Sequence, residues 1–265
     1  MKTFKKFAVA LTAVAAIAIG SIGASAAGAS KHAEPQGWSF EGPTGTYDRA
    51  SAQRGFQVFR EVCSSCHSLK YFKFRNLSKL GYPAEQIKAM AAEYEVQGDP
   101  DDAGDPTMRK GSSNDAIPAP FPNENAARSA NGGALPPDLS LITKARHDGS
   151  NYTYALLNGY EETPAEFSLP DGMSYNPYFK GDKIAMAQPL FEDQVEYQDG
   201  TKASVENMSR DVVNFLSFVG EPSLEQRHQM GVFVLFILFG LIILSYLSMK
   251  KIWAPIKRGE DVMPD

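Results

Sequence analysis

The residues best suited to chemistry lie in one short run, Cys63-Ser64-Ser65-Cys66-His67. Two cysteines separated by two residues and followed at once by histidine form the pattern for covalent attachment of a c-type haem. In a helical turn both sulfurs can reach the two vinyl groups on one edge of the porphyrin, while the next residue directs its imidazole to the iron. The run therefore predicts one haem c, covalently bound through Cys63 and Cys66, with His67 as an iron ligand.

The same cysteine pair allows two other interpretations, and the surrounding sequence favours neither. A thioredoxin-like dithiol is expected in a βαβ setting, whereas this motif ends an amphipathic helix. A structural zinc site needs further cysteine or histidine ligands nearby, and His32, His147 and His228 are not spaced locally for that role. A disulfide framework is excluded because Cys63 and Cys66 are the only cysteines.

The sixth iron position decides what the iron can do. A thioether there favours reduced iron and raises the potential, whereas an open position permits peroxidase or gas-sensing chemistry. Met173 and Met186 are the loop candidates, and we favour Met186 because it lies in an irregular stretch shortly before the last soluble helix. His147 is the alternative as a second histidine ligand.

The elements that must position these groups are mainly helices. Apolar spacing predicts a helix from Tyr47 to Val62, with Asp48 as its N-cap, which leads directly into the cysteines. A second amphipathic helix is predicted from Val205 to Val219. Shorter helices are predicted at 83–94, 139–145 and 151–157.

Irregular segments separate the predicted helices. Residues 93–131 mix acids with Gly, Pro, Ser and Asn and are predicted to form an exposed loop region. Residues 161–189 are rich in Pro, Gly and Tyr and are also predicted to be irregular. Strand signals are few, and one small hairpin is predicted from 191–199 and 203–205 around a turn at Asp199-Gly200. The pattern predicts an all-α fold with long irregular loops.

Two apolar segments indicate where in the cell the protein is expected to lie. Three lysines precede an uncharged apolar run that ends in small residues, which is typical of a secretory signal peptide cut after Ala26. That run is shorter than the ~20 residues that a retained membrane anchor needs. Gly231 to Met249 contains no charge and predicts a membrane span, for which a buried core helix is the alternative. The span's C-terminal end is expected in the cytoplasm because basic residues follow it: Lys250, Lys251, Lys257 and Arg258.

These segments divide the chain into four parts. We predict a signal peptide at 1–26, a periplasmic cytochrome c-like domain at 27–228, a transmembrane helix at 229–250 and a cytoplasmic tail at 251–265. The formal net charge is −5, and loss of the three signal lysines makes the mature chain more negative. An acidic surface disfavours nucleic acid and favours a basic protein partner.

Six further segments of the sequence, taken with the haem motif, are informative as a set. They are WSFEGP at 38–43, RGFQVF at 54–59, GALPPDLS at 133–140, ARH at 145–147, IAM at 184–186 and WAP at 253–255. With the haem motif they resemble the cytochrome c1 family, the haem subunits of cytochrome bc1 complexes, in its alphaproteobacterial type. The resemblance covers nearly the whole mature chain.

The resemblance implies roles for residues outside the cysteine motif. Met186 becomes the sixth iron ligand, and Arg146 and Tyr152 contact a haem propionate, to which a guanidinium is well matched. Three residues are implied to line the haem crevice: Asn131, Pro136 and Pro137.

The resemblance also implies how the first helix packs and where this sequence departs from its family. Gly55 and Phe59 are implied to let the first helix cross closely over the helix containing Phe215 and Leu216. Some bacterial members carry an additional disulfide, for which this sequence has no cysteines left. The acids of 93–131 either attract a soluble cytochrome c or form a solvated loop.

The implied function is electron transfer within a respiratory or photosynthetic quinol–cytochrome c reductase. The resemblance implies relay from the Rieske iron–sulfur protein through haem c to a soluble or membrane-bound cytochrome c, with the anchor beside cytochrome b in the bacterial inner membrane. By itself the chain is then an electron carrier and not an enzyme. The alternatives are a membrane-tethered cytochrome that feeds a terminal oxidase, and a haem enzyme or sensor with an open iron position.

Overall fold

The computed structural model describes residues 31–259, so the predicted signal peptide at 1–26 and the end of the predicted tail lie outside the described residues. The described chain is mostly helical, which confirms the all-α prediction. Two 3-10 helices, Cys63–Ser65 and Phe74–Leu80, accompany seven α-helices in this range. The α-helices are α1 (Arg49–Glu61), α2 (Ala84–Ala92), α3 (Glu124–Ala130), α4 (Ile142–Ala145), α5 (Gly149–Asn158), α6 (Val205–Gly220) and α7 (Leu224–Arg258).

Between residues 31 and 259 the strands are short and form three separate antiparallel pairs. Leu69–Lys73 (β1) pairs with Ala116–Ile117 (β4), and Glu95–Gln97 (β2) pairs with Met108–Lys110 (β3). Ser174–Tyr175 (β5) pairs with Lys183–Ile184 (β6) inside the segment predicted to be irregular. The prediction that 93–131 is wholly loop is therefore wrong, since β2, β3, β4 and α3 lie within it.

The hairpin predicted at 191–205 is also wrong, although its turn exists. Gly200 N donates to Tyr197 O at 3.2 Å, and Gly200 has a φ of 75° that favours glycine. Instead of a ladder, the extended backbone meets side chains of α1, because Gln57 Nε2 donates to the carbonyl of Glu196 at 3.0 Å. The alternating apolar residues Val195 and Tyr197 are buried against the core rather than within a sheet.

The crossing of α1 and α6 forms the centre of the domain. Asp48 caps α1 by accepting a hydrogen bond from Ser51 N at 3.1 Å, as predicted. A Cβ added to Gly55 would come within 1.9 Å of the carbonyl oxygen of Asp211, so only glycine permits this approach. The ring centroids of Phe59 and Phe215 lie 5.9 Å apart, which confirms the predicted close crossing of the two helices.

A buried ion pair lies in the same crossing. Arg54 donates to both carboxylate oxygens of Asp211, at 2.8 and 3.0 Å, and also to Asp199 at 2.9 Å. The Asp211 side chain is only 4% exposed, so the guanidinium compensates a charge that water hardly reaches. The pair fixes the rotational setting of α1 on α6.

The apolar segment predicted to span a membrane lies within α7. This helix is long and apolar enough to cross a membrane, and none of its apolar window is buried in the described protein, so the buried-core alternative is wrong. The helix begins before the predicted boundary at 228/229 and is continuous through it. Its first turns are tied to the domain, because Glu225 accepts from Tyr47 N at 3.0 Å and from Arg49 Nη2 at 2.7 Å.

Candidate functional site

The cysteine motif follows α1 directly as one tight turn. Cys66 N donates to the carbonyl of Cys63 at 3.1 Å, and His67 N donates to the same oxygen at 2.9 Å. Ser64 Oγ donates back to Arg60 O at 2.7 Å, which connects the turn to the last turn of α1. Both cysteines are free thiols on this turn, as covalent attachment of a haem requires.

The His67 ring is oriented by a backbone carbonyl. Its Nδ1 lies 2.7 Å from the oxygen of Pro137, and because a carbonyl only accepts, Nδ1 carries the proton. The Nε2 lone pair is then available to a metal, in the way that ligating histidines are usually held. Burial lowers the pKa of His67, and the Pro137 carbonyl and Asp138 oppose this only in part. The imidazole is therefore neutral, as an iron ligand must be.

Asp138 supports this arrangement, although the sequence pattern assigned it no role of its own within the segment 133–140. Its carboxylate accepts from Ser68 Oγ at 2.7 Å, Lys70 N at 2.8 Å and Ser140 N at 2.9 Å. Burial raises the pKa of Asp138, but these donors outweigh burial and lower it below the usual range. The charged carboxylate thus fastens the segment after His67 to the segment that contains Pro137.

The thiol chemistry distinguishes the interpretations of the cysteine pair. Burial raises the pKa of Cys63 to about 12, and the nearby Cys66 adds to the effect. A redox-active dithiol needs a lowered pKa, so this environment does not suit one. Within residues 31–259 no group of three or more His, Cys, Asp or Glu side chains gathers to hold a metal ion, so a zinc site lacks its ligands there.

Met186 lies just beyond β6 in a segment with little regular structure. Its carbonyl accepts a hydrogen bond from Tyr160 Oη at 3.1 Å, and its side chain is half-buried. The β5–β6 pair before it is held by Asn176, which is fully buried. Asn176 Nδ2 donates to Leu156 O at 2.8 Å and Asn176 Oδ1 accepts from Tyr178 N at 3.1 Å. Polar side chains, not a helix, position this methionine.

Arg146 and Tyr152 lie together near the start of α5. Burial raises the pKa of Tyr152, and the adjacent Arg146 partly opposes the rise, which places the two groups in electrostatic contact. Tyr152 in turn acts on Tyr160, whose pKa is raised by burial and by Tyr152. The structure therefore brings Arg146, Tyr152, Tyr160 and Met186 into one neighbourhood.

The two alternative iron ligands have surface environments. The His147 side chain is 92% exposed, and its Nδ1 lies 3.0 Å from Asp148 Oδ1. Met173 is 39% exposed and precedes β5. Met186 is thus the more enclosed of the two loop methionines and has a fixed backbone.

The three residues expected to line the crevice lie in the segment between α3 and α4. Asn131 is half-buried, and its Nδ2 donates to Ala127 O at 2.7 Å, so this side chain caps α3. Pro136 is half-buried and Pro137 is exposed, and the structure ties Pro137 directly to His67. Proline adds no free amide to this wall.

Comparison with known proteins gives a consistent result. The model of the Cytochrome C1 family matches residues 38–256. The chain is 49% identical over 227 residues to "Cytochrome c1, heme protein, mitochondrial" of Saccharomyces cerevisiae, covering 85% of this chain and 74% of that protein. It is 48% identical over 227 residues to "Cytochrome b-c1 complex catalytic subunit, mitochondrial" of Candida albicans, covering 85% and 79%. "Cytochrome c1 2, heme protein, mitochondrial" of Arabidopsis thaliana is 48% identical over 227 residues, covering 85% and 74%.

Proposed function

The chain belongs to the cytochrome c1 family, and from this premise we propose that it transfers electrons as the haem subunit of a cytochrome bc1 complex. The observation that carries this function is the His67 ring held by Pro137 O at 2.7 Å beside two free cysteines on the same turn. A neutral, oriented imidazole next to two thiols is the donor set of a c-type haem.

The residues present fit one covalent haem c. Cys63 and Cys66 would form the two thioethers, and His67 Nε2 and the Met186 thioether would hold the iron. When bound, the haem supplies reversible one-electron chemistry. The chain's own part is to bind it, to hold the His67 ring and to exclude water from the buried face of the site.

Five further residues complete the proposed haem environment. Arg146 and Tyr152 hold a propionate, for which the guanidinium provides charge-assisted hydrogen bonds. The crevice wall is formed by Asn131, Pro136 and Pro137. The contact of Tyr152 with both Arg146 and Tyr160 supports the first assignment, because it connects the propionate residues to the Met186 segment.

No residue acts as an acid, base or nucleophile in this function, so the chain by itself is an electron carrier and not an enzyme. A haem held by these residues would accept electrons from the Rieske iron–sulfur protein and would pass them to a soluble or membrane-bound cytochrome c. Helix α7 packs beside cytochrome b. The relative named as a cytochrome b-c1 complex subunit supports assembly into such a complex.

The location that we propose is the bacterial inner membrane, with the haem domain in the periplasm and the C-terminus in the cytoplasm. The exposed apolar span in α7 supports a single crossing, and the basic residues at 250–258 support this orientation. The signal-peptide pattern at 1–26 favours the alphaproteobacterial type of the family, although the relatives compared above are mitochondrial.

Co-purification tests the assembly. The full chain, tagged and extracted in mild detergent, is expected to bring down cytochrome b and a Rieske protein in fixed proportion. Recovery of the haem-loaded chain without either partner would instead indicate a tethered cytochrome that serves a terminal oxidase. A denatured chain that carries no covalent porphyrin would overturn the haem assignment itself.

Substitution of the sixth ligand tests the electron-transfer role. Met186→Leu is expected to lower the midpoint potential sharply, because the thioether that favours reduced iron is lost. Met173→Leu, in the same segment but before β5, serves as the matched control and is expected to leave the potential unchanged. An unchanged midpoint potential in Met186→Leu would show that Met186 is not an iron ligand.

A further inference from the structure

The Met186 backbone is restrained by a side chain from a distant part of the sequence. Tyr160 Oη donates to Met186 O at 3.1 Å across 26 residues of chain. Tyr160 follows α5 by two positions, so its backbone continues from a helix that packs on α6. The hydrogen bond therefore connects the Met186 segment to the packed helices α5 and α6.

The hydroxyl of Tyr160 is suited to act as a donor. A tyrosine hydroxyl carries one hydrogen that it can donate, and Tyr160 Oη lies 3.1 Å from the carbonyl oxygen of Met186. A carbonyl oxygen can only accept. The direction of the hydrogen bond between Tyr160 and Met186 is thus fixed by chemistry.

The segment that Tyr160 reaches is anchored at its two ends and open between them. Ile184, in β6, is 6% exposed, and Leu190 is 1% exposed. Ala185, Ala187 and Gln188, by contrast, are exposed. Met186 lies in the middle of this span, where a backbone without a restraint would move most. A bond to its own carbonyl acts at the position where movement would most displace the side chain.

We propose that Tyr160 is a positioning residue for the sixth iron ligand: by holding the Met186 carbonyl, its hydroxyl keeps the thioether from leaving the iron. This inference rests on the proposed ligation by Met186. Tyr160 does not touch the iron in this role. It acts through the backbone of the residue that does.

The test is Tyr160→Phe in the full haem-loaded chain in detergent, since this change keeps the ring and removes only the hydroxyl. Loss of one hydrogen bond weakens ligation by a factor of roughly two to ten. The affinity of the reduced protein for carbon monoxide, which competes with the thioether, is expected to rise by the same factor. The thioether-to-iron absorption band of the oxidised protein is expected to weaken.

Tyr175→Phe is the matched control, because Tyr175 lies half-buried in β5 of the same region and contacts the ring of Phe167. Its carbon monoxide affinity is expected to equal that of the unsubstituted protein. An unchanged affinity and band in Tyr160→Phe would overturn the proposal, as would an equal change in both variants. Haem content, measured for each variant, ensures that equally loaded proteins are compared.

Met186→Leu separates failure of this inference from failure of the ligand assignment. If Met186→Leu leaves the band and the carbon monoxide affinity unchanged, Met186 is not an iron ligand, and the ligation and the positioning role of Tyr160 are both rejected. If Met186→Leu changes the band and the affinity while Tyr160→Phe changes neither, ligation by Met186 is retained and only the positioning role of Tyr160 is rejected.

Discussion

The two sides of the proposed haem site, His67 and Met186, are constructed differently. His67 follows a 13-residue helix, α1, whose crossing with α6 contains buried aromatic rings, a glycine contact and a buried ion pair. Met186 follows a two-residue strand in a segment held mainly by bonds from the side chains of Tyr160 and Asn176. We infer that His67 moves only if the domain unfolds, whereas Met186 can be displaced by losing one polar contact.

The largest loss of stability is expected from a substitution within the crossing of α1 and α6. Arg54→Met would leave the Asp211 carboxylate buried without its cation, and an unpaired buried charge costs about 3–5 kcal/mol. The free energy of unfolding of the full chain in detergent, measured by denaturant titration, should fall by that amount. Because His67 follows α1, its position would be lost when the domain unfolds.

Arg60→Met provides the matched control on the same helix. Arg60 pairs with Glu93 at 2.8 Å, but this pair is partly open to water, with side chains 33% and 55% exposed. Exposed pairs contribute about 0–1 kcal/mol, so this variant should be nearly as stable as the unsubstituted protein. Equal losses in the two variants would mean that the crossing does not depend on its buried pair.

A smaller and more local effect is expected on the Met186 side. Asn176→Ala leaves the amide of Tyr178 without its partner and takes one of two donors from the carbonyl of Leu156, at a cost of about 1–3 kcal/mol. We expect the thioether-to-iron band to weaken because the β5–β6 pair loosens, while the unfolding midpoint falls less than in Arg54→Met.

Asn114→Ala, at an exposed asparagine that bonds to Arg75, controls for loss of an amide elsewhere. This variant should keep both the band and the midpoint. If Asn176→Ala lowered the midpoint as far as Arg54→Met and left the band intact, the distinction between the two sides would be wrong.

The same difference explains what the sequence could predict. The cysteine motif, α1 with its Asp48 cap, and α6 are local patterns, so periodicity and spacing were sufficient for them. Ser68 and Lys70, which donate to Asp138, lie about 70 residues away, and Met186, the partner of Tyr160, lies 26 residues away. An apolar pattern shows which face is buried, but it does not show which backbone group a polar side chain will meet.

The errors in the predicted secondary structure have the same origin. Alternating apolar residues at 195 and 197 favoured a strand, yet the Glu196 carbonyl between them is taken by Gln57 of α1. Acidic and small residues at 93–131 favoured a loop, yet Arg109 and Asp115 form a bidentate ion pair that stabilises the turn between β3 and β4. The Gln57 contact joins residues 139 apart and the Arg109–Asp115 pair joins residues six apart, and in both places the hydrogen bond comes from a side chain that the apolar pattern does not describe.

The smallest expected effect is a pH dependence on the His67 side. The pKa of Asp138 is lowered in the folded chain, so its carboxylate contributes stability that is fully present above the ordinary aspartate pKa of about 3.9 and is lost as pH falls through the lower folded value. Because the Asp138 carboxylate is partly solvated, its replacement in Asp138→Asn is expected to lower the free energy of unfolding by about 1 kcal/mol or less at pH 7.

The difference in free energy of unfolding between Asp138→Asn and the unsubstituted protein should narrow below about pH 4, where the unsubstituted protein loses the contribution of this carboxylate. Asp171→Asn, at an exposed aspartate, should show no gap at either pH. A gap that stays constant or widens on acidification would mean that the hydrogen bonds to Asp138 do not depend on its charge, and the His67 side would then rest on packing alone.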